Sequence, residues 1–141
     1  MSVARAVYLA DTSAFSRLDR PSVAAAFAPL VARSQVALCA PVAFELGFSA
    51  RNAGDHDEIM SRVDAFEAAP VTEGDHRRAL ELQRLLAGRG LHRALSLVDA
   101  LVAAIAENRN LTVLHYDADF ETVSEVTGQP NQWIVPRGTA D

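Results

Sequence analysis

A mainly parallel β-sheet covered by helices on both faces is the fold this sequence predicts, and three observations predict it. Short apolar runs rich in β-formers alternate with amphipathic stretches of helix length. The runs are apolar at nearly every position instead of alternating, as strands buried on both faces are. The chain has 141 residues, 50% hydrophobic and 22% charged, which suits one ordinary domain with a core of its own. The expectation is an α/β architecture in which residues 1–141 form a single domain.

The elements follow in order. Ala6 to Ala10 reads as the first strand, ended by Asp11-Thr12-Ser13. Ser22 is placed to cap a helix whose Val23, Phe27, Leu30 and Val31 form one stripe. Val36 to Ala40 is the second strand, and Pro41 fits the first turn of a helix through Phe44, Leu46 and Phe48. Asp55 to Phe66 is helical with Ile59, Val63 and Phe66 on one face. Pro70-Val71-Thr72 is a break with a very short strand. Asp75 to Leu86 is a helix burying Leu82, Leu85 and Leu86, stopped by Gly88 and Gly90. Ser96 to Asn108 is an apolar, Ala-rich helix. Thr112 to His115 is a strand, Asp119 to Val126 a helix, and Gln132 to Val135 the last strand.

Composition removes several chemistries. All 13 basic residues are Arg, so the lysine of a phosphate-binding P-loop, of a protein kinase or of a Schiff base is missing. Receiver domains, which also gather acids at a parallel sheet, are disfavoured for the same reason. The single cysteine, Cys39, allows neither an internal disulfide nor a multi-cysteine zinc site, and its apolar run reads as core. The chain suits a reducing cytoplasm. Asp11 interrupts the N-terminal apolar stretch before a signal-peptide core forms, and Leu101 to Ala106 is too short to span a membrane.

Ligands of parallel sheets bind beyond the carboxyl ends of the strands. Asp11 lies just past the first strand, and Asp117 and Asp119 just past the Thr112–His115 strand. Glu45 and Asp99 sit inside apolar helices, with no Arg within a helical turn. Each acid taken alone has a plain structural reading. Asp11, Asp117 and Asp119 can cap helices, Asp99 completes a Ser96-Leu97-Val98-Asp99 capping box, and Glu45 can face water. Together they are harder to dismiss. Uncompensated carboxylates in apolar surroundings are costly, and several at one strand edge repel unless a divalent ion neutralises them. Oxygen-rich sites of that kind suit Mg²⁺ or Mn²⁺.

The blocks Tyr8-Leu9-Ala10-Asp11-Thr12-Ser13-Ala14, Glu45 after Ala40-Pro41-Val42, Val98 to Ala104 around Asp99, and Val113 to Phe120 resemble a PIN-domain ribonuclease. More narrowly, they resemble a VapC-type toxin of a type II toxin–antitoxin system. The tail Val126 to Pro130 with Trp133-Ile134-Val135 resembles the actinobacterial branch. The resemblance implies a three-layer α/β/α sandwich and metal-dependent endonucleolytic hydrolysis of RNA. It also implies that Asp11, Glu45, Asp99 and Asp117 form the acidic cluster, with Asp11, Asp99, Asp117 and Asp119 toward the metal. Ser13 takes the place of the hydroxyl residue supporting the first Asp. The position before the third acid is Val98, which leaves the role of Ser96 unsettled.

At a net charge of −5 the chain does not attract RNA by its overall field. The Arg-rich stretch from His76 to Arg93 offers local contacts, as a solvated helix face or as a phosphate surface. Arg93, just before the Asp99 helix, is the candidate for reaching substrate. His115 reads as a supporting side chain instead of a general base, and Tyr116 and Phe120 as core. Two other readings stay open at this point: a haloacid-dehalogenase-type phosphatase and a non-catalytic interaction module. The first wants an Asp where Ser13 stands, and a Lys. The resemblance further implies a homodimer silenced by a VapB-type antitoxin. The Val23, Phe27, Leu30 and Val31 stripe, beside the Asp55–Phe66 helix, is the expected docking groove.

Overall fold

A computed structural model describes residues 6–141. Residues 1–5, with the Arg5 that heads the N-terminal apolar stretch, lie outside the described residues. The strands are β1 (Tyr8–Ala10), β2 (Val36–Cys39), β3 (Glu67–Ala69), β4 (Thr112–His115) and β5 (Asn131–Trp133). They form a five-stranded, wholly parallel sheet in the order β3-β2-β1-β4-β5. The helices are α1 (Thr12–Phe15), α2 (Pro21–Ala32), α3 (Ala40–Phe48), α4 (Ala53–Val63), α5 (Glu73–Ala87), α6 (Leu97–Asn108) and α7 (Asp119–Thr127).

Strand pleat distributes the core into two layers. Leu9, Ala37 and Val113 point to one face, against Leu82 and Leu86 of α5, the Ala100–Ala106 stretch of α6, and Phe120 of α7. Ala10, Val36 and Leu114 point to the other, against Val23 and Phe27 of α2 and the C-terminal residues Ile134, Val135 and Ala140. The α/β/α sandwich is therefore as expected. The chain builds outward from β1 through β2 to β3, then returns to lay β4 on the free side of β1. That reversal opens a crevice at the carboxyl ends of β1 and β4, where Ala10 pairs with Leu114.

Several elements differ from their expected bounds. The α2 cap is Arg20, not Ser22, because Pro21 lacks an N–H and takes the first helical position. Helix α4 starts earlier, since Asn52 Oδ1 accepts the Asp55 N–H at 2.9 Å, and ends at Val63. The third strand is Glu67–Ala69, ahead of Pro70, because pairing with β2 decides a segment whose own β-propensity is weak. Leu85 faces outward from α5.

The α2 stripe does not offer the docking groove expected of it. Val23 is fully buried and Phe27 is 4% exposed. The Phe27 ring packs 5.2 Å from Phe15 and 6.4 Å from Phe66 within the chain's own core. Val31 alone of the stripe is exposed, and a Phe27→Asp change there would test folding, not docking.

Far from the crevice, a buried network ties α5 to α6. Asp75, with no solvent exposure, accepts from Thr72 N at 2.8 Å, Asn108 Nδ2 at 2.6 Å and Arg109 at 3.1 Å. Thr72 and Asp75 form a reciprocal capping box. Burial of Asp75 opposes its charge, but the bonds from Arg109, Asn108 and Thr72 prevail and bring its carboxyl down to about 2.

Candidate metal centre at the β1–β4 crevice

Asp11 is the first residue past β1. Its N–H bonds Leu114 O at 2.9 Å, which continues the ladder and fixes its backbone, while its Oδ2 accepts the Ser13 N–H at 3.0 Å. Asp11 thus caps the short α1, as its structural reading expected. That accounts for one oxygen only. The residue is 2% exposed, and Oδ1 is buried with no hydrogen-bond partner. A buried oxygen carrying half a negative charge is costly unless something positive meets it.

Asp99 arrives from the first turn of α6. Ser96 Oγ accepts the Asp99 N–H at 3.1 Å and sets the helix start, and Asp117 follows β4 by two residues. Oxygens of Asp11, Asp99 and Asp117 all lie within 4.8 Å of one another. Among the described residues this is the one group of three such ligands close enough to share an ion. Burial, then the charges of Asp11 and Asp117, push the Asp99 carboxyl up to about 7. Burial likewise raises Asp11, with Asp117 and Glu45 adding to it against the bonds from Ser13.

Glu45 and Asp119 flank this trio. Thr12 Oγ1 donates to Glu45 Oε1 at 2.5 Å, which brings α3 to the residue after Asp11. Asp119 lies outside the trio, and its N–H bonds Asp117 Oδ1 at 2.9 Å. Its carboxyl is raised by burial and by Asp117. Thr12 is the contributor the sequence did not flag; its only sign was its place beside Asp11.

Ser13 does more than support Asp11. Its hydroxyl accepts the Tyr116 N–H at 2.8 Å and so ties the end of β1 to the end of β4. Tyr116 is buried and anchored in turn by the C-terminal tail. Its hydroxyl accepts from Gly138 N at 2.8 Å and Ala140 N at 3.0 Å, and donates to Asp141 Oδ1 at 2.8 Å. His115 is fully buried. Nδ1 accepts the Asp117 N–H at 3.0 Å, so the proton sits on Nε2, which meets Asn131 Oδ1 at 2.8 Å. Burial lowers its pKa, and through Nδ1 it holds the backbone of Asp117.

The basic segment is mostly paired. Arg77 meets Glu73 at 3.6 Å, Arg89 meets Glu125 at 3.7 Å, and Arg78 bridges Glu81 at 3.0 Å and Glu107 at 2.8 Å. Arg93 is exposed on the loop before α6 and makes no ion pair among the described residues. A trio of carboxylates with one unsatisfied buried oxygen fits a divalent ion held by oxygen ligands. No described helix is long and apolar enough to cross a membrane.

Comparison with known proteins agrees with this geometry. Residues 8–126 match the PIN domain family. Ribonuclease VapC51 of Mycobacterium tuberculosis is 48% identical over 134 residues, spanning 95% of this chain and 97% of that protein. Ribonuclease VapC18 of the same organism is 38% identical over 135 residues, spanning 94% and 98%. Among solved structures, VapBC2 from Rickettsia felis bound to a promoter DNA fragment superposes with a TM-score of 0.73. It covers 89% of this chain and 97% of its own at 16% identity, a likeness of fold alone.

Proposed function

The chain belongs to the PIN-domain family, in its VapC ribonuclease branch, and on that premise we propose that it is a toxin endoribonuclease hydrolysing RNA phosphodiester bonds with a divalent ion, Mg²⁺ or Mn²⁺. The observation that carries the reading is the buried, unpartnered Oδ1 of Asp11, within a trio whose oxygens lie inside 4.8 Å. Asp11, Asp99 and Asp117 hold the ion, with Asp119 at its edge. Bound there, a divalent ion neutralises phosphate charge and acidifies a water.

The protein's own groups do the rest. The Ser13 N–H fixes the Asp11 carboxylate, His115 fixes the backbone of Asp117, and the Asp119 N–H holds the Asp117 carboxylate. Glu45 has Oε1 occupied by Thr12, which leaves Oε2 to orient the attacking water and accept its proton. Arg93 supplies a free guanidinium for a flanking phosphate. The domain comprises the whole chain, acts in the cytoplasm and works as a homodimer.

A VapB-type antitoxin holds it inactive. Its seat is a groove of ≈ 170 Å³ lined by Phe15, Leu18, Leu46, Ile59, Val63 and Phe66, on the face of α4 that carries Ile59 and Val63. Leu46 adjoins Glu45, so a basic side chain of a partner seated there reaches the acidic cluster.

The test is cleavage of total RNA with added Mg²⁺, with EDTA, and with Asp11→Asn or Asp117→Asn. Activity should vanish in EDTA and fall roughly a hundredfold or more in either variant, with unchanged circular dichroism. Products should carry 5′-phosphate and 3′-hydroxyl ends. A 2′,3′-cyclic phosphate would assign the cut to the RNA's own 2′-hydroxyl and refute the reading.

A further inference from the structure

Two members of the acidic trio follow different strands, and one buried side chain holds them in register. Asp11 follows β1 and Asp117 follows β4, so the spacing of their carboxylates depends on how the ends of these strands are tied. The last backbone rung is the Asp11 N–H on Leu114 O at 2.9 Å. Beyond it β1 has turned into α1, and the Tyr116 N–H donates instead to Ser13 Oγ at 2.8 Å. A serine hydroxyl turns about χ1, so a rung built on one is soft unless both of its sides are fixed.

Tyr116 is fixed on every side. Its ring is 5% exposed and stands edge-on to Trp133 at 5.2 Å. Its hydroxyl accepts the N–H groups of Gly138 and Ala140 and donates to Asp141 Oδ1, which uses the one donor and both acceptor sites a phenol has. The Arg17 guanidinium lies over the ring, 4.5 Å from its centre. Arg17 Nε also donates to Ala140 O at 3.2 Å, and Nη1 to Ser13 O at 3.4 Å. These contacts close on themselves, from Ser13 to Tyr116, on to Ala140, then to Arg17 and back to Ser13, all inside one chain. Ser13, where the circuit begins and ends, is the residue whose N–H holds Asp11 Oδ2, and Tyr116 is the chain neighbour of Asp117.

We propose that Tyr116 is a positioning residue for the metal: clasped by residues 138–141 and Arg17, it sets the separation of Asp11 and Asp117 and so the affinity of the trio for a divalent ion. The proposal rests on the ribonuclease reading and adds what prearranges its ligands. Three carboxylates with oxygens inside 4.8 Å repel one another before any ion arrives. A frame that keeps them close binds the ion more tightly than a slack one, in which the ligands relax apart and must be regathered. A clasp that merely fastened the tail would, when lost, lower stability and leave metal affinity alone.

The experiment compares wild type with Tyr116→Phe and Gly138→Pro, and uses Asp75→Asn as a variant destabilised far from the crevice. Phenylalanine keeps the ring and drops the hydroxyl. Proline at the exposed position 138 leaves Tyr116 intact, but it has no N–H and cannot take the φ of +85° that Gly138 holds, so it frees the tail. Mn²⁺ binding is read without RNA, from loss of the free-ion electron paramagnetic resonance signal. Cleavage of single-stranded RNA is then measured against Mn²⁺ concentration. Both clasp variants should bind Mn²⁺ roughly tenfold more weakly, with KM for RNA kept and kcat within about twofold of wild type at saturating Mn²⁺. Asp75→Asn should lose stability and keep wild-type affinity. Wild-type Mn²⁺ affinity in the folded clasp variants overturns the proposal. So does an equal loss of affinity in Asp75→Asn, which would make the effect one of general loosening. If Tyr116→Phe fails to fold, Gly138→Pro decides alone. If wild type neither binds Mn²⁺ nor cuts RNA, the ribonuclease reading falls and this one with it. If wild type does both and the clasp variants match it, the clasp alone is refuted.

Discussion

Replacing Asp99 by Asn should stabilise the metal-free protein while abolishing its chemistry. The Asp99 carboxyl is raised from 3.8 to about 7 by burial and by the neighbouring Asp11 and Asp117. A raised carboxyl penalises the folded state wherever it must ionise. The penalty is absent below the unfolded pKa, grows between roughly pH 4 and 7, and is complete above the folded pKa. At 1.36 kcal/mol per pH unit the ceiling is about 4 kcal/mol, and solvent and relaxation reduce it to roughly 1–3 kcal/mol. For a domain of this size that is a gain of roughly 4–12 °C in Tm. Calorimetry in EDTA at pH 7.5 and pH 4.5 measures it. The Asp99→Asn change should help at pH 7.5 and much less at pH 4.5, and Mg²⁺ should stabilise wild type at pH 7.5 far more than the variant. A loss of stability for the variant, equal at both pH values, would mean that Asp99 serves as a helix-capping residue and would refute the repulsion argument.

Four further outcomes are expected. Asp75→Asn should cost roughly 2–4 kcal/mol in urea melts by breaking the buried Arg109 pair, yet leave kcat of the folded variant unchanged. Because Asp75 is held at about 2, its contribution of about 2 kcal/mol in wild type is present above pH 4 and lost as pH falls toward 2, measurable as acid unfolding. Burial pushes the Cys39 thiol up to about 11, so a thiol reagent at pH 8 should label it only in denaturant. Ile59→Asp, in the α4 groove, should weaken capture of the co-expressed antitoxin at least about fivefold without loss of RNA cleavage.

What the sequence disclosed followed from short-range physics. Thr112–His115 was legible because its apolar run is bounded by turn residues; its register with β1 emerges only in the fold. Asp99 stood out as a carboxylate in an apolar helix, Asp11 and Asp117 by their place just past two strands, and the fold brings them together. Long-range pairing was not legible. Nothing near Asp75 announces Arg109, 34 residues away, and Thr72 read as part of a break with a short strand, not as the cap of α5. Helix α1, at four residues, is too short to show a period. Strand β3 is decided by β2 and not by its own residues. The α2 stripe misled because an apolar stripe looks the same in sequence whether it faces the chain's own sheet or a partner. Phe44 and Phe48, named only as apolar positions along a helix, lie open.

The return of the chain to lay β4 beside β1 has a consequence for synthesis. The acids of the centre stand at positions 11, 99 and 117, so no contiguous fragment shorter than about three quarters of the chain contains them. At 5–20 residues per second the ribosome needs about 5–20 s to travel from the first acid to the last. During that interval the emerging polypeptide is harmless to the message and the ribosome producing it. Danger begins only when the last of the three acids clears the exit tunnel and β4 finds β1. A toxin whose centre closes last gives a co-produced inhibitor the whole of translation in which to be waiting.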